Sequence, residues 1–163
     1  MRTVVIRVDV EPVPQPRHRF TVFAGHARPY LPKSHPVHAY KQALKYAAMA
    51  AWKGRPSEMP LALDASFVLA RPKRLTWKRK PMPRRRAWSL GDSGDVDNFL
   101  KSSLDALGNG LVFVSDGQVC DVAARMRMAD GGERPHAVLQ FWEVDEMMVE
   151  GEGVRAVTVV PVA

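Results

Sequence analysis

The sequence predicts a single α+β domain in which two α-helices cover one face of a mixed β-sheet. The chain has 163 residues, the length of one domain, and residues 1–163 are assigned to it as a whole. Several stretches alternate apolar and polar residues, which indicates strands with one buried face. Two longer stretches repeat their apolar residues with the helical period instead. The predicted order of elements is β, β, β, α, β, α, β, β, β, which is an α+β pattern.

Seven segments are predicted as strands, from strict alternation or from short apolar runs. In the first, Val4, Ile6 and Val8 share one face. Three prolines follow within residues 11–18 and predict an extended connector, because proline cannot donate a backbone hydrogen bond. The tail, residues 145–163, is acidic and then valine-rich, and is interpreted as either an extra edge strand or an oligomer contact. The predicted strands are residues 2–10, 19–23, 26–31, 61–69, 111–114, 118–128 and 136–144.

Two helices are predicted between these strands. The first is expected to be capped by Ser34, to have Pro36 in its first turn and to end near Lys53, before a glycine. The second is expected to run from Asp97, its N-cap, to Leu107. Its predicted buried stripe consists of Leu100, Leu104 and Leu107.

The charge balance favours a polyanionic partner. There are 24 Lys and Arg against 17 Asp and Glu, which gives a net charge of +7 and a pI near 9.9. Such an excess raises the local concentration of polyanions, of which nucleic acid is the commonest. A basic protein without a nucleic-acid role is the open alternative at this stage.

The single cysteine, Cys120, excludes an intramolecular disulfide framework and a cysteine-rich zinc site. We expect a reducing, cytoplasmic setting, because the N-terminal segment does not resemble a signal peptide and no apolar run approaches the roughly 20 residues that cross a bilayer. Cys120 itself alternates inward on its strand and is expected to be a small core residue. On the same strand, Asp121 is expected to pair with Arg125 or Arg127.

Residues 71–94 are predicted to form a basic loop that leads into the candidate site at residues 95–98 and is mobile when free. Half of residues 71–88 are Lys or Arg, and Pro72, Pro81 and Pro83 prevent a continuous helix there. Trp77 and Trp88 lie among these charges; they either stack on bases or fold back onto the core, and the sequence leaves both open.

The run GDSGDVDN, residues 91–98, contains two candidate motifs. GDSG resembles the surroundings of a serine protease nucleophile, but a double β-barrel needs a longer chain, so Ser93 is interpreted as a loop residue. DVDN fits no calcium loop register. It does place Asp95 and Asp97 two residues apart, on one side of an extended segment.

These two acids could hold magnesium, which prefers oxygen ligands. Lys101 follows Asp97 at i+4 on the same side of the helix, and we expect Asp116 to return to the same cleft. Three acids and a lysine would then form a site for two-metal phosphodiester cleavage. The spacing alone also permits a plain helix cap at Asp97, turn roles for the other acids and an i,i+4 ion pair between Lys101 and Asp105.

The longer string DVDNFLKSSLDALGNGLVFVSDGQV resembles the RusA family of Holliday junction resolvases. The family signature is Asp-x-Asp-Asn with a lysine four residues after the second Asp, then Leu-Asp-Ala-Leu, a turn, and an acid two residues before a Gln. The front half, with PQPRHRF and Tyr-Leu-Pro at 30–32, is also similar, so the resemblance covers about residues 4–144. The matching positions are Asp95, Asp97, Asn98, Lys101, residues 104–107, Asp116 and Gln118.

The resemblance implies a RusA-like fold and a homodimer that resolves branched DNA by paired symmetric nicks. It implies Asp95, Asp97 and Asp116 as ligands of Mg²⁺, for which Mn²⁺ could substitute, and Lys101 as the catalytic lysine. The family usually has two adjacent acids before the Gln segment, but this chain has Ser115 in place of the first, and Asp92 is a candidate replacement. The family occurs in bacteria and their phages, which implies the bacterial cytoplasm.

The basic loop directly precedes the acids, so we expect it to contact DNA phosphates. Two alternatives to this nuclease remain: a non-catalytic protein that binds branched DNA by its structure, and a magnesium phosphohydrolase that acts on nucleotides. The expected DNA-binding residues are Arg74, Lys78, Arg79, Lys80, Arg84, Arg85 and Arg86.

Overall fold

A computed structural model describes residues 1–16, 19–23, 25–73, 85–86 and 94–145. The expectations for Trp77, Trp88 and Ser93, and for most of the tail, lie outside these residues. The described elements are β1 (Thr3–Val8), β2 (Arg19–Phe23), β3 (His26–Tyr30), α1 (Val37–Ala51), β4 (Leu61–Leu69), β5 (Arg85–Arg86), α2 (Val96–Leu107), β6 (Val119–Met128) and β7 (His136–Glu143). A short 3-10 turn, Asp116–Gln118, precedes β6.

The α+β architecture with a mixed sheet is confirmed. Five strands form one sheet in the order β1-β7-β4-β6-β5, and β2 and β3 form a separate antiparallel hairpin. The pair β4 and β6 is parallel, whereas the other pairs in the large sheet are antiparallel. A parallel pair needs a long crossover, and the connection that contains β5 and α2 provides it.

The core lies between the helices and one face of the sheet. Alternate residues of the central strand β4, such as Leu63 and Phe67, are buried in the same apolar cluster as residues from both helices. The rings of Phe67 and Phe99 lie 5.6 Å apart and join β4 to α2. The Tyr40 hydroxyl is hydrogen-bonded to Ser103 Oγ at 2.9 Å, which joins the two helices. Burial raises the pKa of Tyr40 to about 12, so this phenol stays neutral.

The N-terminal caps of both helices differ from those expected. Helix α1 begins after Pro36 without a side-chain cap, and Nδ1 of His35, rather than Ser34, accepts the Val37 N–H at 3.2 Å. It ends at Ala51, two residues before Lys53, close to the expected end. The N-cap of α2 is Asp95, which leaves Asp97 inside the first turn.

The buried face of α2 is also rotated from the expected leucine stripe. Leu100 and Leu104 are only half-buried, because the face that packs on the sheet includes two serines whose hydroxyls bond to the helix backbone. Among the stripe residues, Leu107 is fully buried as expected. The buried residues of α2 are Phe99, Ser102, Ser103, Ala106 and Leu107.

Residues 111–114 do not form the expected strand. Val112 and Phe113 are buried, but backbone bonds hold the segment in a tight turn, including Gly110 N–H to the Phe113 carbonyl at 3.0 Å and Val112 N–H to the Leu107 carbonyl at 2.9 Å. Only an isolated parallel bridge joins Phe113 to Ser57. The apolar run therefore fills the core beneath the end of α2 without entering the sheet.

Three expectations for the edge of the sheet are wrong. Cys120 is exposed, and the pairing of β6 with β4 shifts at this residue, because Leu61 pairs with Val119 and Ala62 with Asp121. Asp121 is not the partner of the arginines on its strand: Arg125 pairs with Asp64 and Arg127 pairs with Glu133. The basic stretch is not a loop throughout, because Arg85 and Arg86 pair as β5 with the end of β6.

Candidate active site

The first two acids lie at the N-terminal end of α2. Asp95 is the N-cap, in an extended conformation with φ −96° and ψ 156°, and Asp97 follows in the first turn. Both side chains are exposed, and the Asp95 carboxylate makes no capping bond. Neither carboxylate has a hydrogen bond or ion pair within the described residues. Their oxygens are therefore available to a ligand.

The chain enters this end of α2 through a glycine that no other residue could replace without strain. Gly94 has φ +82°, and a Cβ atom there would lie 2.8 Å from the ring of Pro14. The positive φ and the close approach both require glycine. The proline connector therefore fixes the direction in which residues 94–97 approach the helix.

The connector is docked along α2 by two hydrogen bonds. The Gln15 N–H donates to the Asn98 carbonyl at 2.8 Å, and the Ser102 hydroxyl donates to the Val13 carbonyl at 2.7 Å. The sequence predicted an extended connector here but gave no sign of this docking. The available signal was Ser102, a polar residue on the buried face of an amphipathic helix.

Lys101 lies one turn after Asp97 and is exposed. It does not form the i,i+4 pair with Asp105 that the spacing permits. Asp105 instead accepts a bond from Lys41 Nζ of helix α1 at 2.9 Å. Because Lys41 of α1 pairs with Asp105, the Lys101 ammonium has no ion pair within the described residues and can bind an anionic ligand.

Asp116 is held by the turn between α2 and β6. Gln118 organises this turn: its side-chain oxygen accepts the N–H groups of Val114 at 2.8 Å and Ser115 at 2.9 Å, and its Nε2 donates to the Ser57 carbonyl at 2.8 Å. The Ser115 hydroxyl accepts the Gly117 N–H at 3.4 Å, so Ser115 caps the turn. Asp116 itself is exposed.

This turn lies at the C-terminal end of α2. The Oδ1 atom of Asp116 is 3.1 Å from the position that a Cβ on Gly108, the C-cap, would occupy. Asp97 and Gly108 are 11 positions apart on the helix, which corresponds to about 16 Å at 1.5 Å per residue.

The sheet independently places Asp116 and the N-terminal end of α2 toward opposite ends of β4. Val119, just after Asp116, pairs with Leu61 at the start of β4, whereas Phe99 of α2 packs on Phe67 near its end. The expectation that Asp116 returns to Asp95 and Asp97 is therefore wrong within one chain. Across the ranges given above, no group of three His, Cys, Asp or Glu residues could hold a metal ion.

Comparison with known families resolves the affiliation of the chain. Residues 9–140 match the family model described as endodeoxyribonuclease RusA. The chain belongs to the RusA endodeoxyribonuclease family. A search of curated proteins gives no match. Membership in the RusA family implies endonuclease activity on Holliday junctions.

Within the described part of the chain, no helix is long and apolar enough to cross a membrane.

In this RusA-family chain, two of the expected DNA-binding residues lie at the same end of the sheet as Asp95 and Asp97. Arg85 pairs with Met128 and Arg86 with Arg127, and Met128 in turn pairs with Leu69 at the end of β4. The backbone of β5 therefore lies toward the N-terminal end of α2. The expectations for Arg74, Lys78, Arg79, Lys80 and Arg84, and for Asp92, concern residues outside the described ranges.

Proposed function

We propose that this RusA-family chain is a Mg²⁺-dependent endonuclease that resolves Holliday junctions and related branched DNA by paired, symmetric nicks. Mn²⁺ would substitute for Mg²⁺. The working unit is a homodimer, and each metal site is built from Asp95 and Asp97 of one subunit and Asp116 of the other. The observation that carries this proposal is the position of the acids at opposite ends of one helix.

In a two-fold symmetric dimer, acids from opposite ends of α2 would combine into two complete sites. When two copies of α2 lie side by side and antiparallel, the C-terminal end of each meets the N-terminal end of the other. Asp116 of each subunit then faces Asp95 and Asp97 of its neighbour, and the two sites are related by the dimer axis. A four-way junction has approximate two-fold symmetry as well, so two related sites match the two opposing strands that must be cut.

The donor atoms suit a hard cation. Asp95, Asp97 and Asp116 offer carboxylate oxygens that are exposed, and Mg²⁺ binds through a few carboxylates while keeping positions for water and phosphate. When bound, Mg²⁺ supplies an activated water and neutralises charge on the phosphate. Lys101, which has no partner among the described residues, would hold a phosphate oxygen and stabilise the negative charge that develops there.

The charge of the chain supports a DNA substrate. The net charge is +7 although the proposed site is acidic, so the excess of basic residues lies elsewhere. Residues Arg74, Lys78, Arg79, Lys80, Arg84, Arg85 and Arg86 are proposed to bind phosphates near the cut. We place the protein in the bacterial cytoplasm, where its chromosomal or phage DNA substrate is found.

The alternative is a protein that binds branched DNA without cutting it. The deciding experiment is to compare the wild type and Asp97→Asn on a synthetic four-way junction with Mg²⁺. A nuclease loses cutting in the variant while binding survives or improves, because a charge that repels phosphate is removed. Asp105→Asn is a matched control on the same helix, since Asp105 is paired with Lys41 and should leave cutting intact.

A wild-type protein that binds junctions but never nicks them with Mg²⁺ or Mn²⁺ would favour the non-catalytic alternative. Equal activity on free nucleotides would favour a phosphohydrolase instead.

A further inference from the structure

An apolar surface runs along α2 on the side away from α1. Leu100 and Leu104 are only half-buried, although both pack against the core cluster. In a projection down the helix axis, both leucines lie to one side of Asp97, whereas Asp105 lies to the other. Because Asp105 pairs with Lys41 of α1, the leucines face away from α1.

Strand β6, which α2 contacts, continues this surface beyond the helix. Val122 and Met126 pair with Leu63 and Phe67 of β4, two core residues, so their side chains lie on the face of the sheet that the helices cover. Val122 is nevertheless 42% exposed, and Met126 is half-buried. A contiguous apolar surface that stays open marks contact with another molecule. This surface, the apolar flank, consists of Leu100, Leu104, Val122, Ala124 and Met126.

The apolar flank is separated from the charges of β6. Successive side chains of a strand point to opposite faces, so Asp121 and Arg125 lie on the other face of the sheet, where Arg125 pairs with Asp64. Binding of DNA depends mainly on cations that contact phosphates, and none of the five residues of the flank is a cation. The partner that the flank suits is therefore an apolar protein surface, whose burial drives association.

The positions of the two leucines fit a second copy of the same helix. The point halfway between Asp97 and Gly108 falls near the middle of α2, and Leu100 and Leu104 lie on either side of it. An antiparallel copy of α2 that brings Asp97 opposite Gly108 therefore also brings Leu100 opposite Leu104, to within about one residue, or roughly 1.5 Å. The same pair of residues then meets twice, as a two-fold axis requires.

The directions of the acids agree with this packing. Asp97 and Gly108 are 11 positions apart, close to three helical turns, so the Asp97 side chain and the Cβ direction of Gly108 project from the same side of α2. Asp116 lies in that direction, with Oδ1 3.1 Å from the Cβ position of Gly108. Lys101, one turn after Asp97, faces the same way. A two-fold axis perpendicular to this side keeps these groups of both copies on one surface, which can face DNA.

We propose that the apolar flank is the contact between two copies of this chain, packed with their α2 helices antiparallel. Leu100 of each copy lies against Leu104 of the partner subunit, and the β6 residues of the flank extend the contact. This proposal rests on the proposed nuclease function, because the shared acidic site selects the register of the two helices. Asp97, Lys101 and Asp116 stay at the rim of the contact, where they are open to substrate.

The test places opposite charges at the two leucine positions. Leu100→Lys and Leu104→Glu should each raise the dimer dissociation constant, measured by sedimentation velocity, by roughly 30-fold or more, the usual loss at a central contact residue. Mixed in equal amounts, the two variants should form dimers again. In the mixed dimer the introduced lysine lies opposite the introduced glutamate, and the other end keeps Leu104 opposite Leu100. Cutting of a four-way junction with Mg²⁺ should fall in each variant and return in the mixture.

Two further variants keep the test independent of folding. Val122→Glu lies on the same flank at a more exposed position, and should weaken the dimer with less cost to the core. Tyr46→Glu is the matched control, because Tyr46 is 64% exposed on α1 and lies outside the flank, so its variant should remain dimeric. Circular dichroism and urea unfolding verify that each variant is folded.

The proposal is overturned if the wild type is monomeric at concentrations at which it cuts junctions. It is also overturned if Leu100→Lys, Leu104→Glu and Val122→Glu, all folded, dimerise as tightly as the wild type. Variants that lose stability without losing dimer affinity would show that the same chain covers the flank, and a mixture that stays monomeric would reject the antiparallel register.

Failure of this proposal and failure of the nuclease function are distinguishable. Cutting of a four-way junction by the wild type with Mg²⁺ would support the nuclease even if the flank were not the contact. A wild-type dimer that is broken by the flank variants but never cuts DNA would support the contact and reject the nuclease.

Discussion

Asp116 lies against Gly108, with Oδ1 3.1 Å from the place that a Cβ on Gly108 would take. This contact fixes the third acid at the far end of α2 from Asp95 and Asp97. A site that uses all three acids must then draw them from two subunits. The consequence can be measured by mixing two inactive variants.

Asp97→Asn and Asp116→Asn are each expected to be inactive alone. Mixed and allowed to exchange subunits, they form a heterodimer in which one site carries both substitutions and the other carries neither. Cutting should therefore return. Each heterodimer has one intact site where the wild-type dimer has two, so the products should be single nicks instead of paired ones. The assay follows nicked and linear products from a four-way junction over time.

If the acids acted within one subunit, every site in the mixture would carry one substitution and no activity would return. Mixing Asp97→Asn with Asp95→Asn is the control. Those two acids belong to the same side of the site, so this mixture stays inactive under the shared-site arrangement.

Lys101→Met is expected to lower the rate of cutting by roughly 100- to 1000-fold, the usual loss when a group that stabilises developing charge is removed. Junction affinity should change much less, because Lys101 is one cation among 24 basic residues. Lys41→Met is the matched control: Lys41 pairs with Asp105, and its side chain is only 22% exposed. A rate for Lys101→Met within a few-fold of the wild type would remove this lysine from the reaction.

The ion pair between Arg127 and Glu133 should make the free energy of unfolding depend on pH below about 4.5. The Arg127 guanidinium bonds to both Glu133 oxygens, at 2.6 and 2.5 Å, and lowers the pKa of that carboxyl to about 2. The pKa is lower in the folded chain than in the unfolded one, where it is near 4.5. The stabilisation is therefore present above pH 4.5 and is lost as the pH falls toward 2.

Urea unfolding at pH 6, 4 and 2.5 measures this effect. Glu133→Gln should be less stable than the wild type at pH 6, by at most about 3 kcal/mol, and the two should converge as the pH falls. A difference in the free energy of unfolding that stays constant over this range would show that the pair contributes nothing through ionisation.

Replacing Arg84, Arg85 and Arg86 by Ala should weaken junction binding and flatten its dependence on salt. Each lost phosphate contact lowers the slope of log affinity against log salt by roughly 0.9. The control replaces three exposed basic residues elsewhere, Lys53, Arg55 and Arg134, and so removes the same charge. Equal slopes for the two triple variants would exclude residues 84–86 from the DNA surface.

Local sequence patterns predicted most of the fold. Alternation located β1, β4, β6 and β7, and the apolar repeat located both helices, because these patterns follow from which face of an element is buried. The same reasoning placed Lys101 on the Asp97 side of α2, since that relation depends only on helix geometry. The family resemblance, carried by the string from Asp95 to Val119, is confirmed over residues 9–140.

The errors concern relations between elements. Sequence spacing does not show which end of α2 lies next to Asp116. The structure places Asp116 beside the C-terminal end, whereas the spacing was interpreted as placing it beside the N-terminal end. Sequence spacing also does not show that Lys41 of α1 forms an ion pair with Asp105, or that Ser102 donates a hydrogen bond to the proline connector. Nor does alternation along β6 show that the register against β4 shifts at Cys120, a residue that is exposed.

The pairing of the first strand with the last has a consequence for synthesis of the chain. Within the described sheet, β1 is an edge strand bonded only to β7, from Thr3 opposite Trp142 to Val8 opposite Ala137. These partners are separated by almost the whole described sequence, and such distant contacts slow folding. On the ribosome, β1 therefore waits without its partner until His136–Glu143 has emerged. The described sheet is therefore completed only after residues 136–143 have been synthesised.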